Sequence, residues 1–90
     1  MFANLCPSLC VDLYEKTVAG NVDEAIGVQQ KLNQLLADLT AANFSSGWGI
    51  IKMSLDIRGI CGKTVTHPMP SCTEEERPVL RRIMESHGLL

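Results

Sequence analysis

Apolar residues in the first part of the chain recur at roughly helical spacing and stop at a glycine. After Pro7 they fall at Leu9, Leu13 and Val18, and Gly20 follows. Proline suits the first turn of a helix, because the amide hydrogen that it lacks would have had no partner there. Glycine suits the left-handed residue that ends many helices. The pattern predicts a helix from Pro7 to Ala19.

A longer apolar seam follows at once. Its positions are three and four residues apart over two heptads: Ala25, Val28, Leu32, Leu35 and Leu39. Ile26 and Leu36 are predicted to widen this seam. Asn21 is expected to cap the helix, with Glu24 in the capping-box position three residues later. Two heptads are too few for a freestanding coiled coil, so the seam predicts a helix that packs against neighbours.

Two further helices are predicted beyond a break of serines and glycines at 41–49. The first runs from Trp48 to Arg58 and stops at Gly59, and a loop rich in glycine and proline follows it. Thr73 and Glu76 form a second capping box. Pro78 conflicts with a regular helix that starts at Thr73, so either the first turn is loose or the helix begins nearer Pro78. The last apolar face comprises Val79, Leu80, Ile83 and Met84, and Gly88 ends it. The fold class is therefore all-α with about four helices, and a strand is indicated only at Met1–Leu5.

Composition and charge narrow the functional classes. Of the 90 residues, 46% are hydrophobic and 20% charged, which is typical of a folded domain. The net charge of −2, with scattered basic residues, argues against nucleic-acid binding. There is no apolar run of about 18 residues that could span a membrane, and the start of the chain does not resemble a signal peptide. We therefore expect a cytoplasmic protein that binds neither nucleic acid nor a membrane.

The side chains that could carry chemistry form no catalytic pattern. Cys6, Cys10, Cys61 and Cys72 are expected to be ordinary buried or half-buried thiols, since neither they nor the two histidines have zinc-site spacing. Lys52, between two apolar residues, is better explained as the edge of an amphipathic helix than as a Schiff-base nucleophile. Tyr14 and Trp48 are interpreted as core or interface anchors. We predict no catalytic residue, no metal and no cofactor in this chain.

Three segments together resemble one enzyme family. They are ANLCPSLCVDLYEKTVAGNVDEAIGVQQKLNQLL, the helix IIKMSLDIRGICG, and the ending TEEERPVLRRIMESHGLL after a proline-bearing loop. In this order and spacing they are similar to the end of dihydrodipicolinate synthase/N-acetylneuraminate lyase proteins. The resemblance covers essentially the whole chain.

The resemblance implies a C-terminal piece of a class I aldolase. Family members are (β/α)8 barrels of about 250 residues with a helical extension, and they form a Schiff base between a barrel lysine and pyruvate or a related keto acid. On this reading residues 1–5 end the eighth strand, and 7–90 form the last barrel helix and the extension. The lysine of the sixth strand and the tyrosine of the fifth lie upstream, so Lys52 is not the catalytic lysine. Only Met1 and Ala3 match pocket-lining strand positions, with Asn4 at the rim, and the full-length protein is expected to be a homo-oligomer.

Two departures leave the subfamily and the substrate open. Thr66 and His67 stand where many relatives have an arginine before the loop proline, and Ser46–Gly49 replaces a proline-rich entry to the third predicted helix. The favoured function is a structural C-terminal region of a pyruvate-dependent Schiff-base lyase, inactive without its barrel. The alternative is an independent helical module that binds a partner protein.

Overall fold

The computed structural model describes residues 2–90, and this range contains helices but no strand. The helices are α1 (Phe2–Leu5), α2 (Pro7–Val18), α3 (Val22–Ala41), α4 (Gly47–Ile57) and α5 (Arg77–Ser86), with a 3-10 turn at Glu74–Glu76 leading into α5. The all-α prediction is confirmed, with one helix more than the four expected.

The additional helix replaces the predicted end of a strand. Met1 lies outside the described residues, but Phe2–Leu5 forms a helical turn, in which the Cys6 amide donates to the Phe2 carbonyl at 2.7 Å. The prediction of a strand is therefore wrong for residues 2–5. A strand needs a neighbour to satisfy its backbone groups, and residues 2–90 offer none. The turn instead buries Leu5 in the core.

Helices α2 and α3 form a hairpin closed by Gly20. This glycine has φ +81°, as predicted, and the Asn21 amide beyond it donates back to the Lys16 carbonyl at 2.9 Å. All five residues of the predicted seam on α3 are buried. The widening of that seam is wrong, because Ile26 is 50% exposed and Leu36 46% exposed. The helices that cover α3 lie along one narrow face, and these two side chains fall outside it.

The predicted capping box at the start of α3 is also absent. Asn21 occupies the N-cap position but its side chain accepts no capping hydrogen bond, and its φ of −81° and ψ of 70° differ from the extended conformation usual there. The tight hairpin fixes that conformation. Glu24 points instead toward Lys16, whose Nζ lies 3.6 Å from a Glu24 carboxylate oxygen and 2.9 Å from one of Asp12.

Ser46 caps helix α4, and its hydroxyl accepts a hydrogen bond from the Gly49 amide at 2.9 Å. The helix buries Ile50, Ile51 and Met53. A β-carbon placed on Gly49 would lie 2.8 Å from the Cys72 backbone nitrogen, so the loop before α5 packs directly against this turn. Because glycine has no side chain, residue 49 allows the first turn of α4 to pack directly against the backbone at Cys72.

The start of α5 resolves the conflict at Pro78. Thr73 and Glu76 form the predicted capping box around a 3-10 turn, and the α-helix begins at Arg77, so that Pro78 falls in its first turn. One Glu76 carboxylate oxygen accepts from the Thr73 amide at 2.7 Å. The other accepts from the Ser45 amide, also at 2.7 Å, and ties the α3–α4 link to this turn.

The core lies where α1, α3, α4 and α5 converge. Its buried members are Leu5, Cys6, Leu32, Leu35, Leu39, Ile50, Met53, Cys72, Leu80 and Met84. The predicted face of α5 is buried at Leu80 and Met84, whereas Val79 is exposed. Helix α2 contributes no fully buried residue. Leu9 and Leu13 of α2 are partly buried and pack against the core, and the molecule is elongated, with extents of 42 × 22 × 22 Å.

Candidate functional site

An apolar groove lies between α4 and the loop that follows Gly62. It has a volume of about 620 Å³, and its walls include Asn4, Trp48, Ile51, Leu55 and Met69. Trp48 is 60% exposed, so it is not a core anchor. We call this cavity the Trp48 groove.

The residues predicted to line a family pocket are only partly placed by the structure. Met1 lies outside the described residues. Ala3 and Asn4 are exposed on α1, and Asn4 alone lines the Trp48 groove. Their predicted role at the rim of a barrel pocket concerns residues beyond this chain and stays a prediction.

Lys52 is half-buried and also lines the Trp48 groove. It is the one ionisable side chain among the groove residues that the structure describes. Schiff-base chemistry needs a second group that moves protons to and from the carbinolamine, and the groove residues supply none. The position of Lys52 on the α4 helix therefore agrees with a structural role.

The cysteines are free thiols in ordinary packing environments. Burial raises the pKa of the Cys6 thiol, and the neighbouring Cys10 thiol raises it further. Burial also raises the pKa of Cys72, with a smaller contribution from the Glu76 charge, and the Cys72 thiol donates weakly to the Ser46 carbonyl at 3.5 Å. Both buried thiols are therefore protonated at neutral pH and are poor nucleophiles. Residues 2–90 contain no cluster of three potential metal ligands.

The charged contacts with the shortest distances hold secondary structure together. Arg77 lies 2.6 Å from an Asp56 oxygen on α4 and 2.8 Å from a Glu74 oxygen. Hydrogen bonds from Arg77 and then Lys63 lower the pKa of Glu74 to about 2. Because Arg77, Asp56, Glu74 and Lys63 are joined in these ion pairs, they stabilise the packing of the loop and α5 against α4.

A second cavity, of about 530 Å³, lies between the first turn of α2 and the last residues of the chain. Lys31, Arg58 and His87 line it together with Ser8 and Ser86. We call it the basic cavity. The sequence analysis missed it, because its residues come from four separate segments and no local motif connects them.

Helix α2 presents an uncovered apolar face. Val11, Tyr14 and Val18 are 53%, 69% and 69% exposed, at spacings of three and four. Val22 and Ile26 at the start of α3 are exposed as well. Exposed apolar residues that share one helix face mark an interaction surface when together they form a large patch. Separately, no helix within residues 2–90 has the length and apolar character needed to cross a bilayer.

The geometry thus defines an all-helical unit with a small core, one uncovered apolar helix face and no catalytic set among the residues described. Residues 1–87 match the Dihydrodipicolinate synthetase family. The chain belongs to this family, and the resemblance found in the sequence is confirmed.

Similar proteins agree in both sequence and fold. The 4-hydroxy-tetrahydrodipicolinate synthases of Gluconobacter oxydans and Gluconacetobacter diazotrophicus are 30% and 27% identical to it over 88 residues. Those alignments cover 98% of this chain and 29% of each relative. A solved structure, described as a monomeric dihydrodipicolinate synthase variant, matches the whole chain with a TM-score of 0.81 at 23% identity, over 29% of its own length. That identity shows the fold alone.

Proposed function

We propose that these residues form the C-terminal helical region of a pyruvate-dependent Schiff-base lyase or synthase, and that their role is structural. The observation that carries the proposal is the coverage. Nearly the whole chain aligns with the two synthases, yet it spans only 29% of their length. A (β/α)8 barrel with catalytic residues on several strands needs about 250 residues. The proposal assigns the barrel to the remaining part of a longer protein.

The apolar face of α2 supports this role. In the proposed arrangement α2 is the last helix of the barrel layer, so Val11, Tyr14 and Val18 would pack against barrel strands. Fully burying an aliphatic or aromatic side chain stabilises by roughly 1.5–3 kcal/mol. Three such residues would give several kcal/mol to the attachment of this region.

The catalytic chemistry is proposed for the whole protein only. The family resemblance places the Schiff-base lysine on the sixth strand and the proton-transferring tyrosine on the fifth. Met1, Ala3 and Asn4 would then lie at the pocket that holds pyruvate or a related keto acid. The complete protein is proposed to be a cytoplasmic homo-oligomer.

Two measurements test whether the catalytic residues lie in the barrel and not in residues 1–90. The coding sequence is read upstream in frame, and strand–helix repeats with a lysine in the sixth strand are expected. Residues 1–90 alone are then treated with pyruvate and borohydride, which reduces any imine to a stable adduct. Mass spectrometry should find no adduct on this chain, whereas an adduct on Lys52 would overturn the assignment of roles.

A third measurement addresses the α2 face. The isolated chain should self-associate in sedimentation and bind a hydrophobic dye, because the face lacks its cover. Tyr14→Lys should reduce both effects. Ile60→Lys, at an equally exposed apolar residue outside α2 and α3, serves as the matched control and should change them little. A sharply melting monomer that binds no dye would favour the independent module instead.

A further inference from the structure

The basic cavity has an unusual electrostatic lining for an acidic protein. The chain carries ten acidic and eight basic residues. No aspartate or glutamate is among the residues that line this cavity, whereas Lys31, Arg58 and His87 all are. Lys31 lies on α3, Arg58 directly follows α4 and His87 directly follows α5, so the tertiary fold brings the three basic residues together.

Two of these cations are unpaired within residues 2–90. Lys16, Lys63, Arg77 and Arg81 each form an ion pair with a carboxylate of this chain. Lys31 and Arg58 form none with the residues that the structure describes. An unpaired cation on an open surface is ordinary, but two that line one cavity create a local positive potential.

Arg58 is held in place at the wall of the cavity. Its Nη1 donates to the Leu5 carbonyl at 3.1 Å, across 53 residues of sequence. A guanidinium has five N–H donors in a fixed plane, so this anchor leaves most of them for another acceptor. A preorganised guanidinium loses less conformational freedom when it binds an anion.

The third basic group is fixed by a carboxylate outside the lining. His87 Nε2 lies 2.6 Å from an Asp38 oxygen, and the side chain is 15% exposed. The hydrogen bond with His87 lowers the pKa of Asp38, and a hydrogen bond from Gln34 makes a smaller contribution in the same direction. Asp38 thus orients the ring, and Lys31 and Arg58 remain the principal cations. Ser8, in the first turn of α2, adds a hydroxyl.

We propose that the basic cavity binds a small dianion of the phosphate class, either inorganic phosphate or the phosphate group of a monoester. Two permanent cations match two negative charges, and an arginine favours a tetrahedral or planar oxyanion that accepts more than one N–H. The volume of about 530 Å³ is within the range of small-ligand sites. The basic cavity shares no lining residue with the Trp48 groove, and this proposal goes beyond the proposed function.

The test is calorimetric titration of the full encoded chain with millimolar inorganic phosphate at constant ionic strength. Lys31→Gln and Arg58→Gln should each weaken binding about tenfold, because each removes one charge-assisted hydrogen bond. Lys52→Gln and Arg82→Gln are matched controls, since both residues are unpaired in the described range and lie outside this cavity. The controls should stay within about twofold of the parent chain.

Titrations with a phosphate monoester and with acetate test the ligand class. A phosphate monoester that binds as well as inorganic phosphate points to a larger natural ligand, whereas much weaker monoester binding points to the free ion; either supports the site. Acetate should bind far more weakly than phosphate. Lys31 is exposed, so its variant should fold even where loss of the Arg58 anchor perturbs the structure. Lack of saturable phosphate binding, equal weakening in the controls, or equal affinity for acetate would overturn the proposal.

Discussion

Replacing Gly49 with alanine probes the close approach between the first turn of α4 and the backbone at Cys72. The added β-carbon would lie 2.8 Å from the Cys72 nitrogen and 2.9 Å from both Cβ and Oγ of Ser46. Carbon–nitrogen contacts are normally well above 3 Å, and a backbone nitrogen cannot rotate away as a side chain can. The Ser46 hydroxyl also accepts the capping hydrogen bond of α4.

Two effects of opposite sign determine the outcome. Alanine in place of a helical glycine stabilises by up to about 1 kcal/mol through propensity alone. Overpacking costs about 1–3 kcal/mol, and losing the cap at Ser46 costs about 1 kcal/mol. We expect Gly49→Ala to lower the free energy of unfolding by about 1–3 kcal/mol, because the steric and capping losses exceed the propensity gain.

The matched control is Gly27→Ala, in the middle of α3. A β-carbon there meets nothing within 4 Å, so only the propensity gain applies. It should raise the free energy of unfolding by about 0.5–1 kcal/mol. Both variants are measured by urea denaturation followed by circular dichroism. If the two alanines stabilise the protein equally, the packing of Cys72 against α4 is not as described.

Three further predictions use the same denaturation assay. Gly20→Val should lower the free energy of unfolding by roughly 1–3 kcal/mol, since a β-branched residue is strained at φ +81°. Lys52→Ala should change that free energy by no more than about 0.5 kcal/mol. If Lys52→Ala is the more destabilising of the two, the hairpin does not turn at Gly20. Leu80→Ala removes a side chain with 0% exposure and should destabilise by about 2–5 kcal/mol, and a loss under 1 kcal/mol would show that α5 does not complete the core. The pKa of Glu74 is lowered from its ordinary value of 4.5 to about 2, so its ion pairs should stabilise the fold fully above pH 4.5 and lose their effect as the pH falls through about 2. Glu74→Gln should therefore be less stable than the parent at pH 7 and similar to it near pH 2. A difference in stability that does not change with pH would refute the assignment.

Periodicity predicted the helices well where one face of a helix carries the core. The seam on α3 is the clearest case, because all five of its residues are buried. Glycine positions and the Thr73–Glu76 box were also readable, since both depend on local backbone geometry. The Pro78 conflict resolved into a 3-10 turn followed by an α-helix, which satisfies both signals.

The errors arose where a distant or absent neighbour decides the outcome. Residues 2–5 form a helical turn, since the described residues 2–90 contain no strand to pair with them. Ile26 and Leu36 continue the apolar periodicity, but nothing within residues 2–90 buries them. The basic cavity could not be predicted either, since Lys31, Arg58 and His87 are separated by 27 and 29 positions and converge only after the helices pack.

Because Glu76 binds two backbone amides at once, it restricts which residues can occupy positions 45, 73 and 76. Its two carboxylate oxygens accept from different backbone amides, those of Thr73 and Ser45. Glutamine usually replaces glutamate in a capping box, but here its amide nitrogen would face one of the two N–H donors, and aspartate is one methylene shorter. Proline at 45 or 73 would remove a donor. Natural variants of this chain should therefore keep glutamate at 76 and exclude proline at both partners, so position 45 varies under the same constraint as the turn at 73–76, although about 30 residues separate them.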